Sequence, residues 1–121
     1  MRVTVVGLEV TGSRFVGIGT GAKSLVKSSV VTAPPGSFGG GIVLADRGQV
    51  EESDASNNFV GISCLSRCLI TRNTANNNFL GIFAGSESTV SFNTANDNGF
   101  FGISVAEGSL VTRNTTTGNA S

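Results

Sequence analysis

The segment Ile70-Thr-Arg-Asn73-Thr-Ala75-Asn-Asn77-Asn78-Phe79-Leu-Gly81-Ile82 sets a pattern that runs through the whole chain. Its block Asn73-Thr-Ala-Asn76 returns at 93–96, and loosely at 114–117. Its closing Gly-Ile pair begins at residues 17, 41, 61, 81 and 102, at intervals of 24, 20, 20 and 21 residues. A phenylalanine lies two positions before most of these glycines. Recurrence of this kind identifies a repeat protein.

A period of about 20 residues restricts the architecture of the repeat, because it is too short for a helix–turn–helix unit. The abundant Gly, Asn, Ser and Thr also disfavour helices. Alternation of apolar and polar residues, as at Ile62 and Cys64, is typical of strands. We therefore predict an all-β solenoid of about 5.5 coils of 20–24 residues, with three short strands in each coil.

The order of residue types in segment 70–82, an aliphatic residue, then Asn, a small residue, further Asn and Gly-Ile, resembles the right-handed parallel β-helix of the pectin-lyase-like superfamily. The resemblance covers essentially the whole chain and implies that fold. The same repeat serves lyases, hydrolases, epimerases and non-enzymatic modules, so the resemblance does not select a function. It does imply a secreted or cell-surface protein.

Alternation along each predicted strand assigns three inward-facing columns. The first strand contributes Ile18, Ile42, Ile62, Ile82 and Ile103, followed two positions later by Thr20, Leu44, Cys64, Ala84 and Val105. The second strand contributes Val6, Val26, Val50, Ile70, Val90 and Val111, and the third contributes Ala55, Ala75, Ala95 and Thr116. Asn73, Asn93 and Asn114 are predicted to stack at the turn between the second and third strands, in a structural role.

We predict a single domain over residues 1–121, with one irregular coil. Segment 28–37 contains both prolines of the chain and lengthens the second coil, so a bulged loop is expected there. Neither end of the repeat array carries a capping segment, and open solenoid ends expose core and strand edges. We expect a homo-oligomer or a part of a longer β-helix rather than a stable monomer.

Composition excludes several kinds of partner. Eight basic and eight acidic residues give a formal net charge of zero, which argues against nucleic-acid binding and against a polybasic membrane anchor. No apolar stretch is long enough to cross a membrane. The absence of histidine removes His-based triads and His metal sites, so no cofactor and no metal site are predicted. No signal peptide is visible, and the residues alone leave the compartment open.

Cys64 and Cys68 flank a short turn, and both are expected to point inward. Free buried thiols are favoured over a bridge, which stays open as the alternative. The charged residues are expected to form exposed ion pairs between neighbouring coils, Arg67 with Glu87 and Glu52 with Arg72.

Family enzymes usually carry their catalytic groups on the outer face of the first strand. The outward positions there hold no titratable side chain, whereas glycoside hydrolysis needs two carboxyl groups beside the scissile bond. No catalytic residue is therefore predicted, and a non-catalytic structural or binding module is favoured. The alternative is a fragment or remnant of a polysaccharide lyase or glycoside hydrolase whose catalytic coils lie outside this chain.

Two surfaces are candidates for binding. Val43, Leu65 and Phe83 point outward on the first strand, and such an apolar stripe predicts self-association. The outer face of the third strand presents a grid of small polar side chains that would contact a polysaccharide: Thr74, Asn76, Thr94, Asn96, Thr115 and Thr117. An ice- or surface-binding solenoid is a further alternative for this grid.

Overall fold

The computed structural model describes residues 2–34 and 36–120, and these ranges contain strands and turns but no helix. The strands are short because each coil turns three corners within one repeat. In chain order they are β1 (Thr4–Val6), β2 (Glu9–Thr11), β3 (Val16–Thr20), β4 (Leu25–Lys27), β5 (Val30–Thr32), β6 (Gly40–Leu44), β7 (Gln49–Glu51), β8 (Asp54–Ala55), β9 (Val60–Cys64), β10 (Leu69–Thr71), β11 (Leu80–Ala84), β12 (Thr89–Ser91), β13 (Ile103–Val105) and β14 (Leu110–Thr112).

All strand pairs are parallel, and neighbours in a sheet come from successive turns of the chain. The first sheet has the order β3-β6-β9-β11-β13, the second β1-β4-β7-β10-β12-β14 and the third β2-β5-β8. Isolated parallel bridges from Asp54 through Thr74 and Thr94 to Thr115 continue the third side. The chain is a three-sided β-solenoid of about five turns, which confirms the predicted fold.

The aliphatic columns stack inside the coil. Ile62 pairs in register with Ile42 and Ile82 in the first sheet, and all three are fully buried. The second sheet buries Val26, Val50, Ile70 and Val90, and the third side buries Ala55, Ala75 and Ala95. The small alanines keep the third side close to the other two, so one continuous core fills the solenoid.

The prediction that Val6 belongs to the second inward column is wrong. Val5 pairs with Val26 in this column, whereas Val6 is 62% exposed. Successive side chains of a strand point to opposite faces, so an error of one residue reverses the face.

Segment 28–37 is only partly a loop. Val30–Thr32 form β5 of the third sheet, in which Val31 is buried and aligns with Ala55. The irregular part of the coil follows this strand, at 33–39, and Pro35 lies outside the described residues. The extra residues therefore precede the first sheet instead of separating the second and third strands.

Buried asparagines join successive coils at two corners. Between the second and third sides, Asn73 donates its backbone N–H to Oδ1 of Asn93 at 2.9 Å, and Asn93 donates to Asn114 at 2.9 Å. The predicted stack of asparagines is thereby confirmed. The corner before the first sheet has a second column that bonds in the same way: Asn58, Asn78, Asn98 and Asn119. Both columns satisfy turn backbone groups that would otherwise be buried without a partner.

Candidate functional site

The outer face of the first sheet is apolar. β6, β9 and β11 place Val43, Ser63 and Phe83 side by side on it, and Leu65 follows the end of β9. Phe83 is 44% exposed and Leu65 is 70% exposed. Val43, Leu65 and Phe83 line one shallow depression. The structure thus brings together the three side chains that the sequence analysis singled out on this face.

The apolar surface is wider than the sequence analysis indicated. Val60 and Leu80 line a second depression together with Val43 and Phe83, and Val16 is 46% exposed at the matching position of β3. We call the following outward side chains the apolar face: Val16, Val43, Val60, Leu65, Leu80 and Phe83.

A glycine bend explains why Val60 was missed. Strict alternation from the inward Ile62 would turn Val60 inward as well. Gly61 takes that inward place, because a Cβ on it would lie 2.7 Å from Nδ2 of Asn78 and 2.9 Å from the carbonyl oxygen of Ala55. Two successive residues face the core at this point, so Val60 is free to face outward. The signal in the sequence was the glycine before each isoleucine.

A ridge of aromatic rings borders the apolar face along the corner before the first sheet. It consists of Phe38, Phe59, Phe79 and Phe100. The ring centroids of Phe59 and Phe79 are 5.0 Å apart with planes at 17°, and those of Phe79 and Phe100 are 6.0 Å apart at 15°. Stacking covers ring faces from Phe59 to Phe100, whereas Phe38 is tilted by 56° against Phe59 and is 81% exposed, so the ridge adds apolar area beside the face.

A charged turn borders the apolar face on the opposite side, directly after each first-sheet strand. In each of these turns one residue has a left-handed backbone conformation with positive φ. In successive coils this residue is Lys23, Arg47, Arg67 and Glu87. The prediction that Arg67 pairs with Glu87 is wrong, because Arg67 Nε lies 3.2 Å from Oδ1 of Asp46 in the preceding coil. Ser66 also donates a hydrogen bond to Asp46. This bond and the Arg67 guanidinium hold the pKa of Asp46 below its usual value, against a smaller effect of desolvation.

The other predicted ion pair is present. Arg72 Nε lies 3.8 Å from Glu52 Oε1, and Arg72 is closer still to Glu51, at 3.1 Å. These side chains lie on the far side of the solenoid from the apolar face. Exposed pairs of this kind contribute about 0–1 kcal/mol each.

The apolar face carries no group suited to acid–base chemistry within residues 2–34 and 36–120. The outward residues at the centre of its strands are Gly19, Val43, Ser63, Phe83 and Ser104. In the same ranges no three or more His, Cys, Asp or Glu side chains cluster in a way that could hold a metal ion.

Within the part of the chain that the structure describes, no helix has the length and hydropathy that a membrane span requires.

The six residues predicted to contact a polysaccharide lie together on the outer surface of the third side: Thr74, Asn76, Thr94, Asn96, Thr115 and Thr117. The amide oxygen of Asn76 accepts from the backbone N–H of Asn96 at 2.8 Å, and that of Asn96 accepts from the N–H of Thr117 at 2.8 Å. Both amide oxygens therefore join coils, a role that the sequence analysis assigned only to the first asparagine column. Contact with a glycan through this grid stays a prediction.

A family model described as "Right handed beta helix region" matches residues 2–120. The chain belongs to the right-handed beta helix family. The match confirms the predicted handedness and is consistent with the pectin-lyase-like resemblance. No curated protein and no solved structure matches the chain. Membership establishes the fold of this beta helix and leaves its function to be argued from its surfaces.

The two cysteines of this beta helix are bonded to each other, so the expectation of free thiols is wrong. Cys64 ends β9 and Cys68 precedes β10, with their Cα atoms 6.5 Å apart. Both side chains point into the core from the two ends of one turn, and a Cα separation of this size lies within the range that a disulfide spans. Sequence alone did not supply that distance.

The disulfide closes a very short loop, so its loss is expected to cost no more than about 2 kcal/mol. The loss of stability in Cys68→Ser should be about this value or smaller. Serine suits the position, because Ser24, Ser88 and Ser109 occupy the same corner in other coils and accept backbone N–H bonds there. Cys64→Ser loses the same bond but places a hydroxyl in the apolar column, and it should cost more. Urea unfolding of both variants beside the reduced parent measures the difference, and equal costs would contradict this account.

Proposed function

We propose that this beta helix is a non-catalytic module that associates with further copies of itself through the apolar face. The observation that carries the proposal is an exposed apolar sheet face that is free of charge among its described residues and is bordered by the phenylalanine ridge. Soluble monomers seldom expose contiguous apolar patches of more than a few hundred Å² unless the patch is a contact surface.

The largest side chains of the face would supply most of the association energy. Full burial of such a side chain from water contributes about 1.5–3 kcal/mol, and Phe83 and Leu65 are 44% and 70% exposed, so burial of the exposed part contributes roughly half of that for each. Association would bury both on each copy. A zero net charge also removes the long-range repulsion that keeps strongly charged proteins apart.

The chemistry of the same face supports a non-catalytic role. Hydrolysis or elimination on a sugar chain requires proton-transfer groups within reach of the bond that breaks. The carboxylates of the charged turn follow the strands instead of lying on the face, and one of them, Asp46, is already engaged by Ser66 and Arg67. The alternative of an enzyme fragment stays a prediction, and turnover of pectins or alginates by this chain would support it against the proposal.

Static light scattering over a concentration series tests the proposal. The parent chain should exceed its monomer mass of 12.3 kDa as concentration rises. Phe83→Ser should weaken association at least tenfold, since the loss occurs on both copies. Serine suits this position, because Ser63 and Ser104 occupy the same column.

The matched control removes an apolar side chain from another sheet. Leu69→Gln acts on the outer face of the second sheet, where Gln49 holds the same column, and it should leave the mass unchanged. A parent chain that stays at 12.3 kDa at every concentration would overturn the proposal, and so would equal effects of the two variants.

A further inference from the structure

The charged turn beside the apolar face changes from positive to negative charge along the solenoid axis. Its first three coils carry Lys23, Arg47 and Arg67, and its last two carry Glu87 and Glu107, of which Glu107 directly precedes the left-handed Gly108. Asp46 is the one anion in the first group, and Arg67 already pairs with it at 3.2 Å. Positive charge therefore remains at the N-terminal coils, and negative charge remains at the C-terminal coils.

On the opposite border of the apolar face, charge changes sign in the same direction. Arg14 lies at the N-terminal end of this border, beside Phe15 and Phe38. In the later coils the corresponding turn holds Asn57, Asn77 and then Asp97, all with a positive φ. Both borders of the face therefore run from a cationic end to an anionic end.

Building on the proposed self-association, we propose that two copies pack face to face with their solenoid axes antiparallel. The two-fold axis runs along the strand direction, so each border of the face meets the same border of the second copy in reverse order. Lys23 then faces Glu107 of the second copy, and Arg47 faces Glu87. Arg67 of the middle coil faces Arg67 of the second copy, and each of the two is paired with Asp46 of its own chain. On the other border Arg14 faces the Asp97 end. Such an interface is isologous, with the same patch on both copies.

The alternative face-to-face arrangement has parallel axes and opposes like charges. Its two-fold axis runs along the solenoid and brings the charged turn of one copy against the ridge border of the other. Lys23 would then meet the Arg14 end, and Glu87 and Glu107 would meet Asp97. Like charges placed together at an interface disfavour that register.

The side-chain sizes on the apolar face fit the antiparallel arrangement. Reversal of the coil order sets the second coil against the fourth. Phe83 of one copy then lies over Val43 of the other, and Leu80 lies over Gly40, which has no side chain. Phe83 and Leu80 thus meet smaller residues, while Leu65 of the middle coil packs on Leu65 of the second copy, so side-chain size supports the same arrangement as charge.

The dimensions of the face limit the area that the pair can bury. Five strands about 4.8 Å apart and five residues of about 3.3 Å each give a sheet face of roughly 19 by 17 Å. A standard interface buries about 800 Å² on each partner, so the sheet face needs the ridge and the charged turn to approach that size. We expect dissociation on the order of micromolar concentration.

A charge-exchange experiment tests the arrangement. Variant A carries Glu87→Lys with Glu107→Lys, and variant B carries Lys23→Glu with Arg47→Glu. The left-handed turn accepts both residue types, since Lys23 and Glu87 occupy it with φ of 59° and 57°. Alone, each variant should dissociate at least tenfold more readily than the parent at low ionic strength. Mixed in equal amounts, A and B should form a one-to-one pair.

The control for variant A makes the same change in net charge away from the face, with Glu9→Lys and Glu52→Lys, and it should dimerise as the parent does. Light scattering measures every sample, and native mass spectrometry identifies the mixed pair. A parent dimer that Phe83→Ser disrupts but that neither A nor B affects would overturn the antiparallel pairing and leave the proposed function standing. Tighter association of A alone would also overturn it, in favour of parallel axes. A monomeric parent would overturn both.

Discussion

Replacement of Asn93 by alanine is expected to lower the free energy of unfolding by about 3–5 kcal/mol, a large part of the stability of a small domain. Asn93 is 1% exposed. Its Nδ2 donates to the carbonyl oxygen of Ile70 at 2.9 Å, and its Oδ1 accepts from the backbone N–H of Asn73 at 2.9 Å. Alanine would leave both of these backbone groups buried without partners, and each such group costs about 1–3 kcal/mol.

Urea unfolding at one fixed protein concentration measures this loss, because association would add to the apparent stability. Asn93→Asp keeps the acceptor oxygens but loses the donor to Ile70, so it should also destabilise the protein. Asn96→Ala is the matched control, since Asn96 is only partly buried and its amide oxygen accepts a single bond, from Thr117. Equal losses of unfolding free energy for Asn93→Ala and Asn96→Ala would show that burial of the asparagine column does not contribute to stability.

Replacement of Gly61 by alanine is expected to cost about 1–3 kcal/mol by overpacking, and more if the coil spacing cannot adjust. The added Cβ would lie 2.6 Å from the carbonyl oxygen of Gly81, in addition to its approach to Asn78 and Ala55. Two of these three neighbours are backbone atoms held in the ladder, so they cannot rotate away. The glycine before the isoleucine is therefore required at Gly61 by the close approach of the next coil's backbone and of Asn78.

Gly19→Ala is the control for this second prediction. Gly19 lies on the outer surface of β3, where a Cβ would meet only the side chain of Val16, at 3.3 Å. Alanine there should be neutral or slightly stabilising, because it reduces the freedom of the unfolded chain. Thermal unfolding of both variants provides the comparison. A loss at Gly19 as large as that at Gly61 would contradict the role of the inward glycine.

The inward columns and the first asparagine column could be predicted because they follow from periodicity alone. Stacked coils bring every twentieth residue together, so Ile62 had to lie between Ile42 and Ile82 once the solenoid was recognised. Val6 was misplaced because the first coil has few flanking repeats to set its register. A strand of three residues then shifts by one without altering the apparent pattern.

The candidate site was predicted only in part. Val43, Leu65 and Phe83 followed from alternation. Val60 and Leu80 required the bend at the glycines, which depends on how closely the neighbouring coil and its asparagines approach. Arg67 could pair with an acidic residue of the preceding coil or of the following coil. It pairs with Asp46 of the preceding coil, whose carboxylate also accepts a hydrogen bond from Ser66. Side-chain distances decide between the two partners, and the spacing of residues along the chain does not give those distances.

The amino-acid sequence by itself determined the repeat, the three-sided coil and the residues that fill its core, because a repeat of about 20 residues can bury its apolar side chains only by stacking. The tertiary structure alone decided that Cys64 and Cys68 are bonded, that Phe38, Phe59, Phe79 and Phe100 form one outer ridge, and that charge is graded along both borders of the apolar face. These features depend on distances between different coils and corners, and only the folded chain sets those distances.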